Sequence, residues 1–215
     1  MTEPKANITS REELRSIYKE QSVAARKKVL IALDQHRQPM ITLSPFVCIA
    51  TKAKDGSLEV SPRGEHPGSV KVLSPMQILI PQRSGNNRLN SLTNLTHNPG
   101  ISQLFLIPGV IETVRVKGVA KIITNDERLE ACEINGKVPP TEILIDVRNA
   151  FLRCGKALKR SALWENTYKI ERAELASCGK ILAEQTGSEY SADELDSSND
   201  DAYEKNCINR SRKHG

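Results

Sequence analysis

The chain has 215 residues, of which 38% are hydrophobic and only 4% aromatic, and its formal net charge is +5. This length and composition are typical of one globular domain with short extensions, and no apolar stretch reaches the length of a membrane span. The first residues lack the basic and then apolar pattern of a secretion signal, so a cytoplasmic protein is expected.

The cysteines and histidines show no metal-ligand pattern. The five cysteines occur without a CxxC pair, and the four histidines have no ligand-like spacing, so no metal site is expected. The GxxxxGK[ST], GxGxxG, HExxH and GxSxG motifs are also absent. Their absence argues against triphosphate hydrolysis, Rossmann dinucleotide binding, zinc proteolysis and hydrolysis by an elbow serine.

The charge is unevenly distributed along the chain. Residues 189–215 contain seven acidic and four basic side chains, whereas residues 1–188 contain 19 acidic and 27 basic ones. A basic body favours phosphate-bearing or acidic partners, although the same charge can simply keep a protein soluble. Nucleic acid is the least favoured partner because aromatic residues are few and the basic residues form no continuous run.

The N-terminal segment is predicted to be helical. Ser10 and Glu13 have the spacing of a capping box, and apolar residues recur at helical intervals as far as Leu33. One long helix or two short helices are therefore expected before the main fold.

Short β-type runs begin at Phe46 and are separated by turn signals such as Asp55-Gly56. A short capped helix is expected over 124–132. Six or seven strands with few helices between them favour an antiparallel barrel, and a small closed barrel has no room inside, so a ligand is expected outside it. The expected strands are 46–51, 58–61, 70–73, 77–81, 101–107, 113–123 and 142–151.

The chain beyond Thr186 is rich in Ser, Asp and Glu. Residues 188–201 are expected to form a flexible acidic segment, followed by a short helix over 202–210. The expected organisation is an N-terminal helical extension over 1–40, a barrel domain over 41–170 and a partly flexible C-terminal extension over 171–215.

An apolar strand, a polar turn and an amphipathic helix follow one another over residues 78–98. The helix is expected to carry Leu89, Leu92 and Leu95 on one face and to end at Asn98-Pro99. Free amides at a helix start, the helix dipole and a guanidinium group together favour a phosphate. The alternative is an ordinary strand–turn–helix with solvated arginines. The polar residues beside the first helical turn are Ser84, Asn86, Asn87 and Arg88.

Two further polar clusters are candidates for a site. Residues 60–68 are expected to form a loop or strand end that presents Arg63, and His66 in it could act as an acid or base. Residues 151–164 combine cationic residues with the only tryptophan, and Cys154 lies among cations that could lower its pKa. The alternatives are an ordinary surface turn and a solvated basic helix.

Taken in chain order, these segments resemble the FMN-binding split β-barrel branch of the pyridoxamine 5'-phosphate oxidase-like flavoproteins. The resemblance covers roughly residues 14–164, and residues 177–186 also look similar. It implies a mainly β fold, a split β-barrel with flanking helices. The motifs that carry it are Ser61-Pro62-Arg63-Gly64, Ile80 to Leu89, Asn98-Pro99, Leu104 to Gly109, Glu112 to Gly118 and Lys156 to Trp164.

The resemblance also implies a homodimer with two FMN sites at the subunit interface, each built from both chains. Such a cleft would suit the long apolar ring of a flavin. The implied phosphate ligands are Asn87, Arg88 and Ser91, with Arg63 nearby. The residues implied to line the flavin ring are Ser61, Ile80 and Pro81. The residues implied to come from the partner chain are Lys156, Arg160, Ser161 and Trp164.

Two motifs of pyridoxamine 5'-phosphate oxidase itself are absent: an Arg-x-Val-Leu-Leu-Lys strand and a C-terminal arginine–histidine substrate motif. Pyridoxine phosphates are therefore not expected as substrates. No catalytic acid or base is identified, and flavin hydride transfer need not have one. The function implied is an FMN-dependent oxidoreductase of unassigned substrate. The alternatives are a deazaflavin-dependent reductase, a flavin- or haem-binding protein without catalysis and, least favoured, a nucleic-acid-binding module.

Overall fold

The computed structural model describes residues 7–206 except 84, 86, 125 and 135, and excludes the side chains of 205 and 206. Most of the described residues up to 153 form β-strands or short helices around them. The strands are β1 Phe46–Lys52, β2 Leu58–Gly64, β3 Lys71–Ser74, β4 Gln77–Gln82, β5 Gly100–Leu106, β6 Thr113–Ile123 and β7 Thr141–Arg153. The helices are α1 Arg11–Ile17, α2 Val23–Lys27, α3 Arg37–Leu43, α4 Asn90–His97, α5 Glu127–Glu130, α6 Lys156–Arg160, α7 Cys178–Thr186 and α8 Ala192–Asn206, with a 3₁₀ turn at Arg172–Glu174.

The seven strands form one antiparallel sheet in the order β2-β1-β5-β6-β7-β4-β3. Alternating apolar residues of the strands face one shared core, to which α3 contributes Ile41 and α4 contributes Leu95. The sheet therefore curves around a single interior, but its outermost strands, β2 and β3, are not hydrogen-bonded to each other. The predicted fold class, a mainly β split barrel with flanking helices, is confirmed, whereas the expectation of a closed barrel is wrong.

The predicted strands are all present, and β2 is longer than expected. It continues past Ser61 through Pro62 to Gly64. Proline lacks the amide that a central strand must donate, but β2 pairs with β1 on one side only, so an edge strand can contain it. The N-terminal segment contains two short helices, α1 and α2, and Ser10 accepts a hydrogen bond from the Glu13 amide as predicted.

The expectation of a flexible acidic segment over 188–201 is wrong, because α8 occupies most of it. Ser191 and Glu194 form a reciprocal capping box: the Glu194 amide donates to Ser191 Oγ at 3.3 Å, and the Ser191 amide donates to Glu194 Oε2 at 2.8 Å. The helix also packs on α7, where the Gly179 amide donates to Asp196 Oδ1 at 2.6 Å. Part of the helix expected over 202–210, residues 207–210, lies outside the described residues.

Within the described ranges, no helix has the length and apolar character needed to span a membrane.

Gly118 permits a close approach between the two longest strands, β6 and β7. The pairing of β6 with β7 shifts register between Lys117 and Gly118, and a Cβ atom at Gly118 would lie 2.5 Å from the Asp146 carbonyl oxygen. Because this oxygen belongs to the backbone, it cannot move aside easily.

We expect Gly118→Ala to lower the free energy of unfolding by about 2 kcal/mol, as overpacking does. Urea unfolding measures this, with Gly64→Ala as the control because its new methyl would only reach ordinary contact distance of Phe46. Equal losses in the two variants would contradict the explanation.

Glu142 is buried on the outer face of the sheet. Its side chain is 0% exposed, and neither carboxyl oxygen has an oriented hydrogen-bond partner among the described residues. The thiol of Cys132 lies near this carboxyl group and interacts with it. Burial raises the pKa of Glu142, and burial together with Glu142 raises the pKa of the Cys132 thiol to about 12.

This burial predicts a pH-dependent stability. A carboxyl whose pKa is higher in the folded state than in the unfolded state holds its proton more tightly when folded, so its contribution is complete at low pH and is lost as the pH rises. Relative to Glu142→Gln, we expect the free energy of unfolding of the wild type to fall above about pH 4.5, by at most about 1.4 kcal/mol per pH unit. Urea unfolding over a pH series tests this, and exposed Glu130→Gln should follow the wild type. Parallel curves for wild type and Glu142→Gln would contradict it.

Candidate functional site

A cleft of about 720 Å³ lies where the sheet remains open. Residues 59–65 of the β2 segment form one wall, and residues 80–83 at the end of β4 form another. Residues 87–92, which lead into α4, complete it. The volume is within the usual range for small-molecule sites.

Seven of the residues implied by the resemblance line this one cleft, although they come from three separate segments. The remaining four lie on α6 and in the turn after it, beyond the far end of β7, and do not line the cleft of their own chain. The seven are Ser61, Arg63, Ile80, Pro81, Asn87, Arg88 and Ser91. The four are Lys156, Arg160, Ser161 and Trp164.

Arg63 is a partly buried cation with neutral hydrogen-bond partners. Its Nε donates to Gln82 Oε1 at 3.2 Å, and its Nη1 donates to the Pro62 carbonyl oxygen at 2.9 Å and to Ser61 Oγ. Burial lowers the pKa of Arg63, and the charge of Glu59 partly opposes this. Among the described residues, no carboxylate bonds to this partly buried guanidinium group, so it favours an anionic ligand.

Gln82 was not identified from the sequence as a site residue. It is 6% exposed, and its Nε2 donates to the carbonyl oxygens of Ile80 and Pro81, both at 3.3 Å. This arrangement leaves Oε1 to accept from Arg63 across the open edge of the sheet. The available signal was a polar side chain ending an otherwise apolar strand.

A second polar contact crosses the same opening. Arg83 Nε donates to Glu65 Oε2 at 3.2 Å. Glu65 immediately follows β2, and Arg83 immediately follows β4. Two side-chain bridges, Arg63–Gln82 and Glu65–Arg83, therefore join strands that the backbone leaves unpaired.

The chain enters α4 through an unusual backbone. Asn87 has φ +57° and Leu89 has φ +55°, in the left-handed region that most residues avoid. Leu89 is the N-cap and offers no side-chain acceptor to the first helical turn. The side chain of Leu89 therefore does not cap the amides at this helix start, which borders the cleft. Amides in this position favour a phosphate.

The predicted leucine face of this helix is partly wrong. Leu89 precedes the helix and is 58% exposed, whereas Leu95 is buried. The buried Asn94 anchors α4 instead, because its Nδ2 donates to Thr51 Oγ1 on β1 at 3.1 Å. Two residues of the predicted turn, Ser84 and Asn86, lie outside the described residues.

Two other candidate residues lie apart from the cleft lining. His66 is exposed, and its Nδ1 lies 2.9 Å from the Pro67 carbonyl oxygen. Cys154 is exposed beside α6. A hydrogen bond from the Lys156 amide lowers the pKa of the Cys154 thiol, and the charges of Lys156 and Lys28 contribute in the same direction.

The α6 segment is attached to the turn between β5 and β6. Trp164 Nε1 donates to the Val110 carbonyl oxygen at 2.8 Å, and Gly155 packs so closely on Ile111 that a Cβ atom would lie 2.6 Å from its Cγ1. Trp164 is still 36% exposed. The segment therefore presents its polar and aromatic groups from a fixed support.

Comparisons with known proteins extend the description. The family model for pyridoxamine 5'-phosphate oxidase matches residues 33–150. No curated protein matches the chain. Similar solved structures include HupZ of Group A Streptococcus, with 18% identity over 56% of this chain and 93% of that chain and a TM-score of 0.46. Others are an FMN-binding protein from Syntrophomonas wolfei (10% identity, 67% and 94% coverage, TM-score 0.45) and an FAD binding protein from Mycobacterium smegmatis (14% identity, 58% and 97% coverage, TM-score 0.40).

Proposed function

Because the chain belongs to the pyridoxamine 5'-phosphate oxidase family, we propose that its cleft binds FMN and that the protein is an FMN-dependent oxidoreductase of unassigned substrate. The family match includes β2, β4 and the start of α4, the three segments that form the cleft. The proposed site therefore lies within the part of the chain that matches the family model.

The observation that carries the proposal is the partly buried Arg63 cation, whose described hydrogen-bond partners are neutral, in the same cleft as Arg88 and a helix start that its N-cap Leu89 does not cap. These three features favour an anion, and they come from two separate segments, β2 and the entry to α4. The same cleft has an apolar wall at Ile80 and Pro81. A ligand that combines a phosphate with a flat apolar ring fits a cleft with cationic groups on one part and an apolar wall on another.

We assign the phosphate of FMN to Asn87, Arg88 and Ser91, and the ring to the wall formed by Ser61, Ile80 and Pro81. When bound, FMN would supply the hydride and electron transfer. The protein would bind and orient the cofactor and limit access of water to it. Arg63 would add positive charge to the cleft, and Gln82 would fix the direction of its guanidinium group.

We further propose that the functional unit is a homodimer. Four residues of the implied site lie outside the cleft of their own chain, on the α6 segment that Trp164 and Gly155 attach to the turn between β5 and β6. A second copy of the chain could bring Lys156, Arg160, Ser161 and Trp164 to the open side of the cleft. Under this arrangement one chain holds the phosphate and the other covers the ring.

The first experiment is the visible absorbance spectrum of the freshly purified protein, followed by mass identification of any small molecule that heat releases. Flavin bands with released FMN are expected. A protein purified without flavin should still bind added FMN, as measured by quenching of flavin fluorescence. A colourless protein that ignores FMN but binds a deazaflavin would replace the proposed cofactor, and one that binds neither would refute the flavoenzyme proposal.

A further inference from the structure

Arg83 contacts three separate parts of the chain beside the cleft. Besides its bond to Glu65, its Nη2 donates to the Cys132 carbonyl oxygen at 2.7 Å and its Nη1 donates to the Lys137 carbonyl oxygen at 3.4 Å. Backbone hydrogen bonds between Ile134 and Lys137 close the turn that carries the Lys137 carbonyl group, and the Cys132 carbonyl group lies just before this turn. One side chain at the end of β4 therefore fixes both the end of β2 and this turn.

The contacts of Arg83 are mostly shielded from water. Its side chain is 26% exposed and that of Glu65 is 18% exposed. Removing one partner of such a pair leaves the other charge poorly solvated, so the pair is more costly to break than a surface ion pair. Three of the five N–H groups of the guanidinium group bond to the protein, in directions that a lysine ammonium group cannot reproduce together.

Arg83 is also the anchor that precedes the strained entry to α4. Asn87 and Leu89 have positive φ angles, and residues other than glycine keep such angles only where the surrounding structure holds them. On the helix side, Asn94 ties α4 to β1. On the strand side, Arg83 is a described side chain with several long-range bonds. The phosphate-binding turn therefore lies between two fixed points.

We infer that Arg83 is a positioning residue for the phosphate site. Through Glu65 and the carbonyl groups of Cys132 and Lys137, it holds the end of β4 so that Asn87 and Arg88 face the cleft. It does not bind the phosphate itself. The inference rests on the proposed function, because it concerns how that site keeps its shape.

The test compares two ligands that share a ring but differ in the phosphate. Dissociation constants of FMN and riboflavin are measured by flavin fluorescence for wild type, Arg83→Gln, Arg83→Lys and Glu65→Gln. The matched control is Arg37→Gln, because Arg37 also pairs with a carboxylate, that of Asp34, and donates to a carbonyl oxygen, that of Lys28, but does not line the cleft. We expect the preference for FMN over riboflavin to fall about tenfold in the Arg83 and Glu65 variants. Loss of a side chain that orients a metal ligand reduces metal affinity by about ten- to a hundredfold, and we take the lower end of that range. The control should keep the wild-type preference.

Glu65→Gln is the decisive variant, because it changes neither the shape of residue 65 nor Arg83. If Arg83 bound phosphate directly, loss of the neighbouring carboxylate charge would leave the preference for FMN unchanged or increase it, and this outcome would overturn the inference. The double variant Glu65→Gln/Arg83→Gln should lose no more than Arg83→Gln alone, because Glu65 acts through its bond to Arg83.

Stability and cofactor binding are separated by thermal unfolding of each variant. If Arg83→Gln does not fold, Arg83→Lys and Glu65→Gln still decide the question. An equal loss of affinity for FMN and riboflavin in folded Glu65→Gln would indicate a general structural role and would also overturn the inference. Failure of the wild type to bind FMN would instead refute the proposed function.

Discussion

Arg88→Ala is expected to weaken FMN binding by about 1.5 to 3 kcal/mol, the range for a hydrogen bond to a charged group. This corresponds to a dissociation constant roughly ten to 150 times larger. Arg88 lines the cleft between Asn87, which has a positive φ, and the start of α4. Its loss would remove a guanidinium group from the proposed phosphate site and leave the wall for the ring intact. A fluorescence titration with FMN measures the change.

The same titration with riboflavin separates a phosphate effect from general damage. Arg88→Ala should change riboflavin affinity little, because riboflavin has the ring without the phosphate. The matched control is Arg148→Ala, an arginine exposed on β7 that does not line the cleft. Unchanged FMN affinity in folded Arg88→Ala would remove this residue from the site.

Arg160→Ala is expected to weaken FMN binding by a similar amount, although Arg160 does not line the cleft of its own chain. The physical reason is the proposed contribution of the partner's α6 segment to each site. Gel filtration of the variant shows whether the dimer itself persists, so that lost affinity is not confused with lost assembly. A site complete within one chain predicts no effect.

Mixed dimers test this arrangement directly. In a dimer of one Arg88→Ala chain and one Arg160→Ala chain, one site lacks both arginines and the other keeps both. Co-expression of the two chains with different tags, followed by purification through both tags, should therefore restore tight FMN binding at one site per dimer. No recovery in a stable mixed dimer would contradict a site built from both chains.

The strands could be predicted from the sequence because their alternation is local. β6 was predicted with its observed ends, since apolar residues alternate with polar ones from Thr113 to Ile123. The predicted range of β2 ended too early, at Ser61, because Pro62 and Gly64 are typical of turns. Only the order of the strands shows that β2 is an edge strand, in which proline costs no ladder hydrogen bond.

The acidic helix α8 was missed because the sequence was interpreted as a flexible segment. Its composition is typical of disorder, yet the Ser191–Glu194 capping box and the contact between Gly179 and Asp196 order it. The capping box was visible in the sequence. The contact with α7 was not, because composition does not reveal which segments pack together.

The proposed site could be predicted only as separate clusters. The resemblance named seven residues that do meet in one cleft. The roles of Gln82 and Arg83 depend on contacts with residues 63 and 65 across an opening in the sheet, and no local pattern encodes such contacts. Whether the α6 cluster meets the cleft of a second copy remains a prediction.

The side-chain bridges across the opening also bear on how fast a ligand could exchange. Separating two paired strands breaks a row of backbone hydrogen bonds and is a local unfolding event, which takes microseconds to seconds. Among the described residues, the bridges between the ends of β2 and β4, Arg63–Gln82 and Glu65–Arg83, are contacts of side chains. Parting them breaks no backbone ladder bond, although partly buried side chains move more slowly than exposed ones. The cleft can therefore widen while every strand keeps its hydrogen-bonded neighbours. Entry and departure of a bound molecule need not wait for the fold to open.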